Sequence, residues 1–133
     1  MAQLFTKDTQ AIFWNNNKTA IQRMLDYDFT IKRDKPSVAA IVAPTSSNKF
    51  EKFFWGGDEV MIPLYKSTTE AKAAQPQADV LLNFASFRTA YDVTMEALEI
   101  GGFSSMMITA EGIPERLARG MNQTAREKNV TII

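Results

Sequence analysis

The sequence has 133 residues, of which 45% are hydrophobic and 23% charged, and these values are typical of one soluble globular domain rather than a disordered chain. Fifteen basic residues balance fifteen acidic ones, so the net charge of zero gives no global field that attracts nucleic acid or an anionic membrane. Cysteine and histidine are absent, which excludes disulfides, thiolate or imidazole metal sites, serine–histidine–acid hydrolysis and a phosphohistidine formed on this chain. No apolar run is long enough to span a bilayer and residues 1–7 contain no signal core, so we expect a cytoplasmic protein with no membrane or nucleic-acid partner.

Six apolar runs predict the strands of one sheet. The run at 38–43 is apolar at every position, which is typical of a strand covered by helices on both sides of a parallel sheet. Pro63 lies in the third run, and we expect that strand at an edge because proline cannot donate a ladder hydrogen bond. The six predicted strands are 11–14, 38–43, 61–65, 79–85, 105–109 and 130–133.

Apolar residues at helical spacing predict a helix in most of the connections between these strands. Gly101 is a good stop for the third helix, and Pro114 lies where a first-turn proline opens the fourth. The helical stripes lie in 19–26, 68–75, 87–98 and 113–121. Because strand and helix alternate without a linker or repeat, we predict one α/β domain over residues 1–133, with a Rossmann-like, doubly wound, mostly parallel sheet and helices on both faces.

Four loops define the candidate site, because ligands of doubly wound sheets bind beyond the carboxyl ends of the strands. We name this side of the sheet the ligand edge, and we expect the four loops to converge there. The first, second, third and fourth loops are residues 15–19, 44–52, 86–88 and 109–111. Taken without a family resemblance, their residues favour a small-molecule ligand that carries phosphate, but they do not identify that ligand.

The first loop precedes a helix whose free N–H groups and dipole favour phosphate. It carries three asparagines instead of the glycines of a G-x-G-x-x-G motif, which disfavours bound NAD. An ordinary helix cap formed by Asn17 or Thr19 is the structural alternative.

The second loop carries hydroxyl and amino groups that suffice for one or two phosphates, although a solvated polar loop has the same composition. Its donors are Ser46, Ser47, Asn48, Lys49 and Lys52. An aromatic cluster overlaps the end of this loop and allows three interpretations: an adenine shelf, a partner surface, or core packing under a long connection. The cluster comprises Phe50, Phe53, Phe54 and Trp55.

The third and fourth loops each contain one charged candidate. Arg88 lies near a predicted helix N-terminus, where the helix dipole disfavours a cation, and this placement suggests an anionic ligand. A surface ion pair with Asp92 is the alternative. Glu111 is the acidic side chain of the fourth loop, and it fits either a ligand hydroxyl or amide, or a cap on the next helix.

Three sequence blocks, in order, resemble the coenzyme A-binding domain of ATP-citrate lyase. They are P-S-V-A-A at 36–40, N-F-A-S-F-R-T-A-Y-D at 83–92 and I-T-A-E-G-I-P-E at 108–115. The resemblance extends along the whole chain. More distantly, the sequence is similar to the N-terminal domain of the succinyl-CoA synthetase alpha subunit, which shares the I-T-x-E-G-I-P block.

The resemblance implies an acyltransferase, also called ATP citrate synthase, that makes acetyl-CoA and oxaloacetate from citrate, coenzyme A and ATP. Phosphohistidine, citryl phosphate and citryl-CoA are the implied intermediates, and the reductive TCA cycle is one implied setting. This chain has no histidine, so it is expected to bind coenzyme A as a substrate without contributing a catalytic residue or a metal site. ATP and Mg²⁺ are then expected elsewhere in the full enzyme, a hetero-oligomer whose remaining domains or second subunit are the partners of this N-terminal fragment.

Matching the family's loops position by position implies a set of coenzyme A-binding residues. Arg88 is expected to contact a coenzyme phosphate, and the fourth loop is expected to hold the pantetheine or adenosine end. The first loop departs from the glycine-rich run of the synthetase relatives, and the second is longer than their P-G-K-G turn. The implied residues are Asn17, Lys18, Thr19, Ala20, Ser46, Ser47, Lys49, Lys52, Ser86, Phe87, Arg88, Thr109, Ala110 and Glu111.

Three other interpretations remain open. The chain also fits the small subunit of a citryl-CoA synthetase, because the module that distinguishes a lyase lies outside these residues. A free-standing Rossmann module that senses NAD or an adenine nucleotide has the same fold, but the missing glycines disfavour it. An interaction domain similar to a response regulator would need an acidic cluster after the first strand, where this sequence has asparagines.

Overall fold

The computed structural model describes residues 5–133, and within that range it contains seven strands and four helices. In chain order they are β1 Ala11–Trp14, α1 Lys18–Thr30, β2 Val38–Val42, β3 Phe50–Trp55, β4 Asp58–Tyr65, α2 Thr68–Ala74, β5 Val80–Asn83, α3 Ala90–Ile100, β6 Ser105–Ile108, α4 Glu115–Glu127 and β7 Thr131–Ile132. Residues 1–4, part of the stretch predicted to lack a signal core, lie outside the described residues. No helix within 5–133 combines the length and apolar character needed to cross a bilayer.

The sheet confirms the predicted doubly wound α/β fold. Its strand order is β3-β4-β2-β1-β5-β6-β7, and every neighbouring pair except β3–β4 is parallel. The six parallel strands therefore follow the Rossmann order, third, second, first, fourth, fifth, sixth. The direction of winding reverses between β1 and β5, and we call this position the switch point.

The two faces of the sheet carry separate cores, because side chains alternate along each strand. Phe13 of β1 packs with Ile21 and Leu25 of α1 on one face. Its neighbour Ile12 packs on the opposite face in the cluster that includes Ala97 of α3. Helix α1 thus covers one face, while α2, α3 and α4 contribute to the core of the other, which confirms the prediction of helices on both faces.

The aromatic cluster forms a strand, β3, which the sequence analysis did not predict. It pairs antiparallel with β4 through a two-residue turn at Gly56 and Gly57. Gly56 has φ +62°, and a β-carbon there would clash with the Phe29 ring, so both the backbone and the neighbouring side chain favour glycine at this turn. Core packing is confirmed for Phe53, which is buried, but not for Phe54, which is 47% exposed on the other side of the same strand.

The prediction that the Pro63 strand lies at an edge is wrong, because β4 lies between β2 and β3. The N–H of Leu64 donates to the Lys49 carbonyl on the β3 side, at 2.9 Å. N–H directions alternate along a strand, so the Pro63 nitrogen points to the β2 side, where the ladder begins only at Leu64. No ladder hydrogen bond is therefore lost at the proline.

Several predicted helix boundaries also differ from the structure, and α4 starts at Glu115 and extends to Glu127, six residues beyond its predicted end. Helix α1 extends to Thr30, four residues beyond its predicted end. Phe87 was predicted within the apolar stripe of α3, yet it lies in the preceding loop and is 50% exposed. The Ser86 carbonyl accepts the N–H groups of Thr89 and Ala90, and this turn delays the start of the helix until after Phe87.

A buried carboxylate joins α1 to β2 at the edge opposite the ligand edge. Asp28 is 4% exposed, and its Oδ2 accepts hydrogen bonds from the Ser37 backbone N–H at 2.8 Å and the Ser37 hydroxyl at 2.6 Å. The Arg33 Nε lies 3.8 Å from Oδ1, so a cation also faces this carboxylate. Because these partners satisfy a charge that burial would otherwise penalise, Asp28 fixes the entry of β2 into the sheet.

We expect Asp28→Ala to lower the free energy of unfolding by about 2–3 kcal/mol, because it leaves the Ser37 donors without their charged acceptor. The measurement is urea denaturation followed by circular dichroism. Asp34→Ala is the control, since Asp34 is exposed and its loss should cost less than about 0.5 kcal/mol. Equal small losses in both variants would contradict the role of Asp28.

Candidate functional site

The first and third loops meet at the switch point. The Asn15 side-chain Nδ2 donates to the Phe84 carbonyl at 3.2 Å, and the Phe84 N–H donates to the Trp14 carbonyl at 3.0 Å. Asn15 has φ +86°, a left-handed conformation that favours glycine. Asparagine tolerates this conformation better than most residues, and here its side chain also bridges the two loops. The chain therefore leaves β1 by a sharp turn that is anchored to the neighbouring strand.

The N-terminus of α1 points into the same region. Asn17 caps the helix, because its Oδ1 accepts the Ala20 N–H at 3.0 Å and its carbonyl accepts the Ile21 N–H at 3.0 Å, so the capping alternative is confirmed. The N–H groups of Lys18 and Thr19 have no hydrogen-bond partner among the described residues. The first turn contains no acidic side chain, so the positive end of the helix dipole is not neutralised there.

The side chain of Lys18 turns away from these free N–H groups toward the hairpin. Its Nζ forms a 2.6 Å ion pair with Oε1 of Glu51 on β3. Lys18 is therefore already partnered, and the backbone rather than the ammonium group is the free donor at this position.

The third loop presents an arginine to solvent. Arg88 and Phe87 are both exposed, and the guanidinium carbon lies 5.6 Å from the Phe87 ring centroid in a cation–π arrangement. The alternative ion pair with Asp92 is not formed, and within residues 5–133 no carboxylate lies within salt-bridge distance of this guanidinium. A cation without a carboxylate partner beside a helix N-terminus is placed to meet an anion.

The fourth loop is joined to the third through β5. Thr109 donates both its N–H, at 3.2 Å, and its Oγ1, at 3.3 Å, to the Asn83 carbonyl. Glu111 is exposed and does not cap α4, whose N-cap residue is Pro114 without a side-chain cap bond in the described structure. The first, third and fourth loops thus converge as predicted, and Ala110 lies in the same turn.

The second loop lies beside the connection from β4 to α2 instead of over the switch point. The two segments line a cavity of about 640 Å³. Its polar lining includes Ser46, Ser47, Lys49 and Lys66, and Tyr65 contributes an aromatic ring. Hydroxyl groups, two cations and an aromatic surface are therefore available at one place on the ligand edge, together with one carboxylate, that of Glu70.

Lys52 requires a correction, because it lies on β3 and not in the second loop. Its Nζ is 3.4 Å from Oε1 of Glu59 on the paired strand and 5.6 Å from the Phe54 ring centroid. Lys52 is not among the residues that line the cavity. Lys52 lies outside the cavity because this segment forms the unpredicted hairpin, in which alternate residues point to opposite faces.

Three further residues lie at this edge, although sequence patterns did not mark them as site residues. Asn83 is fully buried at the end of β5, and its signal was one polar residue at the end of an apolar run. Tyr65 and Lys66 enter the cavity because β4 lies next to β2, as the Rossmann order implies, but no motif marked either residue as a candidate.

A lysine with a shifted pKa lies outside this site. Burial lowers the pKa of Lys72, and the nearby Asp79 carboxylate partly opposes that shift. The Lys72 Nζ donates to the carbonyls of Ala78 at 2.6 Å and Pro76 at 3.0 Å, and it lies over the Phe103 ring. These contacts lie just before β5 and β6 begin, at the edge opposite the candidate site, so they serve packing there.

The fold and the cleft at its switch point define the class of this protein as a Rossmann-like, doubly wound α/β domain. No family model matches the chain. It is 46% identical over 132 residues to the ATP-citrate synthase of Bos taurus and 45% identical over 131 residues to the ATP-citrate synthase beta chain protein 1 of Arabidopsis thaliana. The alignments cover 99% and 98% of this chain, but 12% and 21% of those proteins.

A solved structure gives the same result. The chain matches the ATP citrate lyase from Methanothrix soehngenii, determined in complex with citrate and coenzyme A, with a TM-score of 0.96 and 43% identity over 98% of this chain and 21% of that one. The chain is therefore a relative of one region of ATP-citrate lyase, and the resemblance carried by the three sequence blocks is confirmed. Some relatives are named as separate subunits or chains of the enzyme.

We expect Asn15→Ala to lower the free energy of unfolding by about 2 kcal/mol, because it removes the bond to Phe84 and because alanine tolerates the left-handed conformation less well than asparagine. Asn15→Gly removes the same bond without the conformational cost and should lose about 1 kcal/mol less. Thermal and urea unfolding of both variants measure the difference. Equal losses would show that the φ of Asn15 carries no strain.

Proposed function

We propose that this chain is a coenzyme A-binding domain that acts within an ATP-citrate lyase. The observation that carries the proposal is the cleft at the switch point, where the first loop is bonded to Phe84 just before the third loop. The free N–H groups of Lys18 and Thr19 and the Arg88 guanidinium, which has no carboxylate partner within residues 5–133, lie on these two loops. Helix N-termini and arginines are the groups that proteins use most often to hold phosphates. The relative from Methanothrix soehngenii, solved with coenzyme A, supports the same ligand.

The chemistry of coenzyme A fits the separation of the donors into two places. The molecule carries a diphosphate and a separate ribose 3′-phosphate next to its adenine. We propose that the diphosphate binds at the switch point, next to Ala20 in the first turn of α1. The cavity of the second loop, with Ser46, Ser47, Lys49 and Lys66, then receives the adenine and its 3′-phosphate. Ser86 and Thr109 lie on the side left for the pantetheine arm.

The complete reaction requires more than this chain. The sequence contains no histidine, so the phosphohistidine of the lyase belongs to another part of the enzyme, and we propose that ATP and Mg²⁺ bind there as well. Under this proposal the enzyme is cytoplasmic and combines this domain with further domains or with a second subunit in a hetero-oligomer. The length of the relatives supports the presence of further domains, because this chain covers only 12% and 21% of them, and the name of the Arabidopsis thaliana relative as a beta chain supports a second subunit. An apolar groove of about 330 Å³ on the α1 face, floored by Leu82 and Met107, is the place where an apolar segment of the longer enzyme would pack under this proposal.

Titration of coenzyme A against this chain, followed by amide NMR shifts, tests the ligand. We expect shifts at Asn17, Ser46, Arg88 and Glu111, and the same shifts with desulfo-coenzyme A because the thiol is not among the proposed contacts. NAD is the control, since the first loop lacks glycines. Stronger shifts with NAD would favour the nucleotide-sensing alternative, and no shift at millimolar coenzyme A would contradict binding by this chain.

We expect Arg88→Ala to weaken coenzyme A binding by about tenfold and to reduce its dependence on salt, as the loss of one phosphate contact predicts. Isothermal titration at two salt concentrations measures both effects. Arg126→Ala is the matched control, because Arg126 is an exposed arginine in the last turn of α4, at the opposite edge. Equal affinities of the two variants would remove Arg88 from the site.

A further inference from the structure

One buried side chain closes the turn between β5 and α3. Asn83 is 0% exposed, and its Oδ1 accepts the Ala85 N–H at 3.0 Å. Its Nδ2 donates to the Ala90 carbonyl at 3.1 Å and to the Thr94 Oγ1 at 3.0 Å. The carboxamide therefore holds both ends of the third loop, since Ala85 precedes the loop and Ala90 begins the helix that follows it.

Burying this amide costs free energy because it loses water, and only hydrogen bonds within the protein offset that loss. An apolar side chain at the end of β5 would pack against the same core without needing partners, so the amide is not required for burial itself. Residues 86–89, which carry Arg88, are all exposed and have little packing of their own. Their backbone is fixed at its ends, by the Asn83 carboxamide and by the Ser86 carbonyl that accepts the Ala90 N–H.

The backbone of the same residue serves the neighbouring loop. The Asn83 carbonyl accepts both hydrogen bonds from Thr109. The side chain thus holds the third loop and the main chain holds the fourth. A substitution at position 83 removes the first function and leaves the second, and this separation makes the two functions distinguishable.

We propose that Asn83 is a positioning residue for the coenzyme phosphate: its carboxamide fixes the third loop in the conformation that presents Arg88 to the ligand. The inference rests on the proposed function. Asn83 itself is buried and does not touch the ligand, so it acts through Arg88. Without the carboxamide the loop samples other conformations, so binding must order the arginine, and the lost conformational entropy lowers the affinity.

A double-mutant cycle tests this coupling, with coenzyme A affinity as the readout. We expect Asn83→Leu to weaken binding by about tenfold. If Asn83 acts through Arg88, the double variant Asn83→Leu, Arg88→Ala should bind within about twofold of Arg88→Ala alone. If the loss of affinity in the double variant equals the product of the two single losses, the inference is overturned. An unchanged affinity of Asn83→Leu would overturn it as well.

Thr94→Val is the matched control for stability. It removes the hydroxyl that accepts from the same Asn83 amide but keeps the bond from Ala85 to Asn83. We expect it to lower the melting temperature without changing coenzyme A affinity. A loss of affinity equal to that of Asn83→Leu would mean that binding follows stability alone, which would overturn the inference.

Asn83→Ser carries the same test if Asn83→Leu does not fold. The serine hydroxyl can accept the N–H two residues ahead, so this variant should keep the turn and bind with intermediate affinity. In both variants we expect amide shifts of the unliganded chain to change at residues 86–89 and not at 109–111. Changes of equal size in the two loops would contradict the separation of functions.

The outcome for Arg88 separates this inference from the proposed function. If Arg88→Ala leaves coenzyme A binding unchanged, the proposed phosphate contact fails, and Asn83 then has no arginine to position. If Arg88→Ala weakens binding and the cycle is additive, the contact stands and only the role of Asn83 is overturned.

Discussion

The pairing of β1 with β5 is the constraint on which the remaining structure of the site depends. The two strands are parallel neighbours, but the chain winds away from them in opposite directions, so no crossover helix covers their carboxyl ends. That gap is the cleft. The bond from Asn15 to the Phe84 carbonyl ties its two walls together, and the N-terminus of α1 and the third loop open onto it as a consequence.

The hairpin of β3 and β4 replaces the helix that commonly connects the second and third parallel strands of this fold. Its inner side packs on α1 through Phe53, and the Gln22 side chain of α1 bonds to both the N–H and the carbonyl of Phe54 on the outer strand. These bonds occupy part of an edge that would otherwise offer unpaired backbone groups. The hairpin also lengthens the connection after β2, and this longer connection forms the cavity that the second loop lines beside Tyr65.

Much of the fold followed from local patterns in the sequence. The continuous apolar run at β2, the asparagine turn after β1 and the stop at Gly101 each have one physical meaning, so strands and helices were predicted close to their positions. The hairpin was not, because its alternation of aromatic and charged residues resembles a partly buried loop until Gly56 and Gly57 are recognised as its turn. An inner strand tolerates Pro63 because its nitrogen points to the side where no ladder hydrogen bond is made, and no sequence pattern contains that direction.

The site was predictable as a set of loops but not as a set of contacts. The sequence placed Arg88 and Asn17 at the ligand edge, yet it could not show that Lys18 and Lys52 have carboxylate partners on the hairpin. The Lys18 pair joins α1 to β3, and the Lys52 pair forms only across the hairpin that the sequence did not predict. Asn83 shows the same limit, since its partners surround a loop whose geometry exists only after α3 has packed.

The most direct test of this account compares amide shifts of the chain with coenzyme A and with 3′-dephospho-coenzyme A. If the diphosphate lies at the switch point, both ligands should move the amides of Lys18, Thr19 and Arg88 equally, whereas coenzyme A should move those of Lys49 and Lys66 more than 3′-dephospho-coenzyme A, which keeps the adenine but lacks the 3′-phosphate. Shifts that leave Lys18 and Thr19 unchanged with both ligands would contradict the claim that the free end of α1 receives the coenzyme.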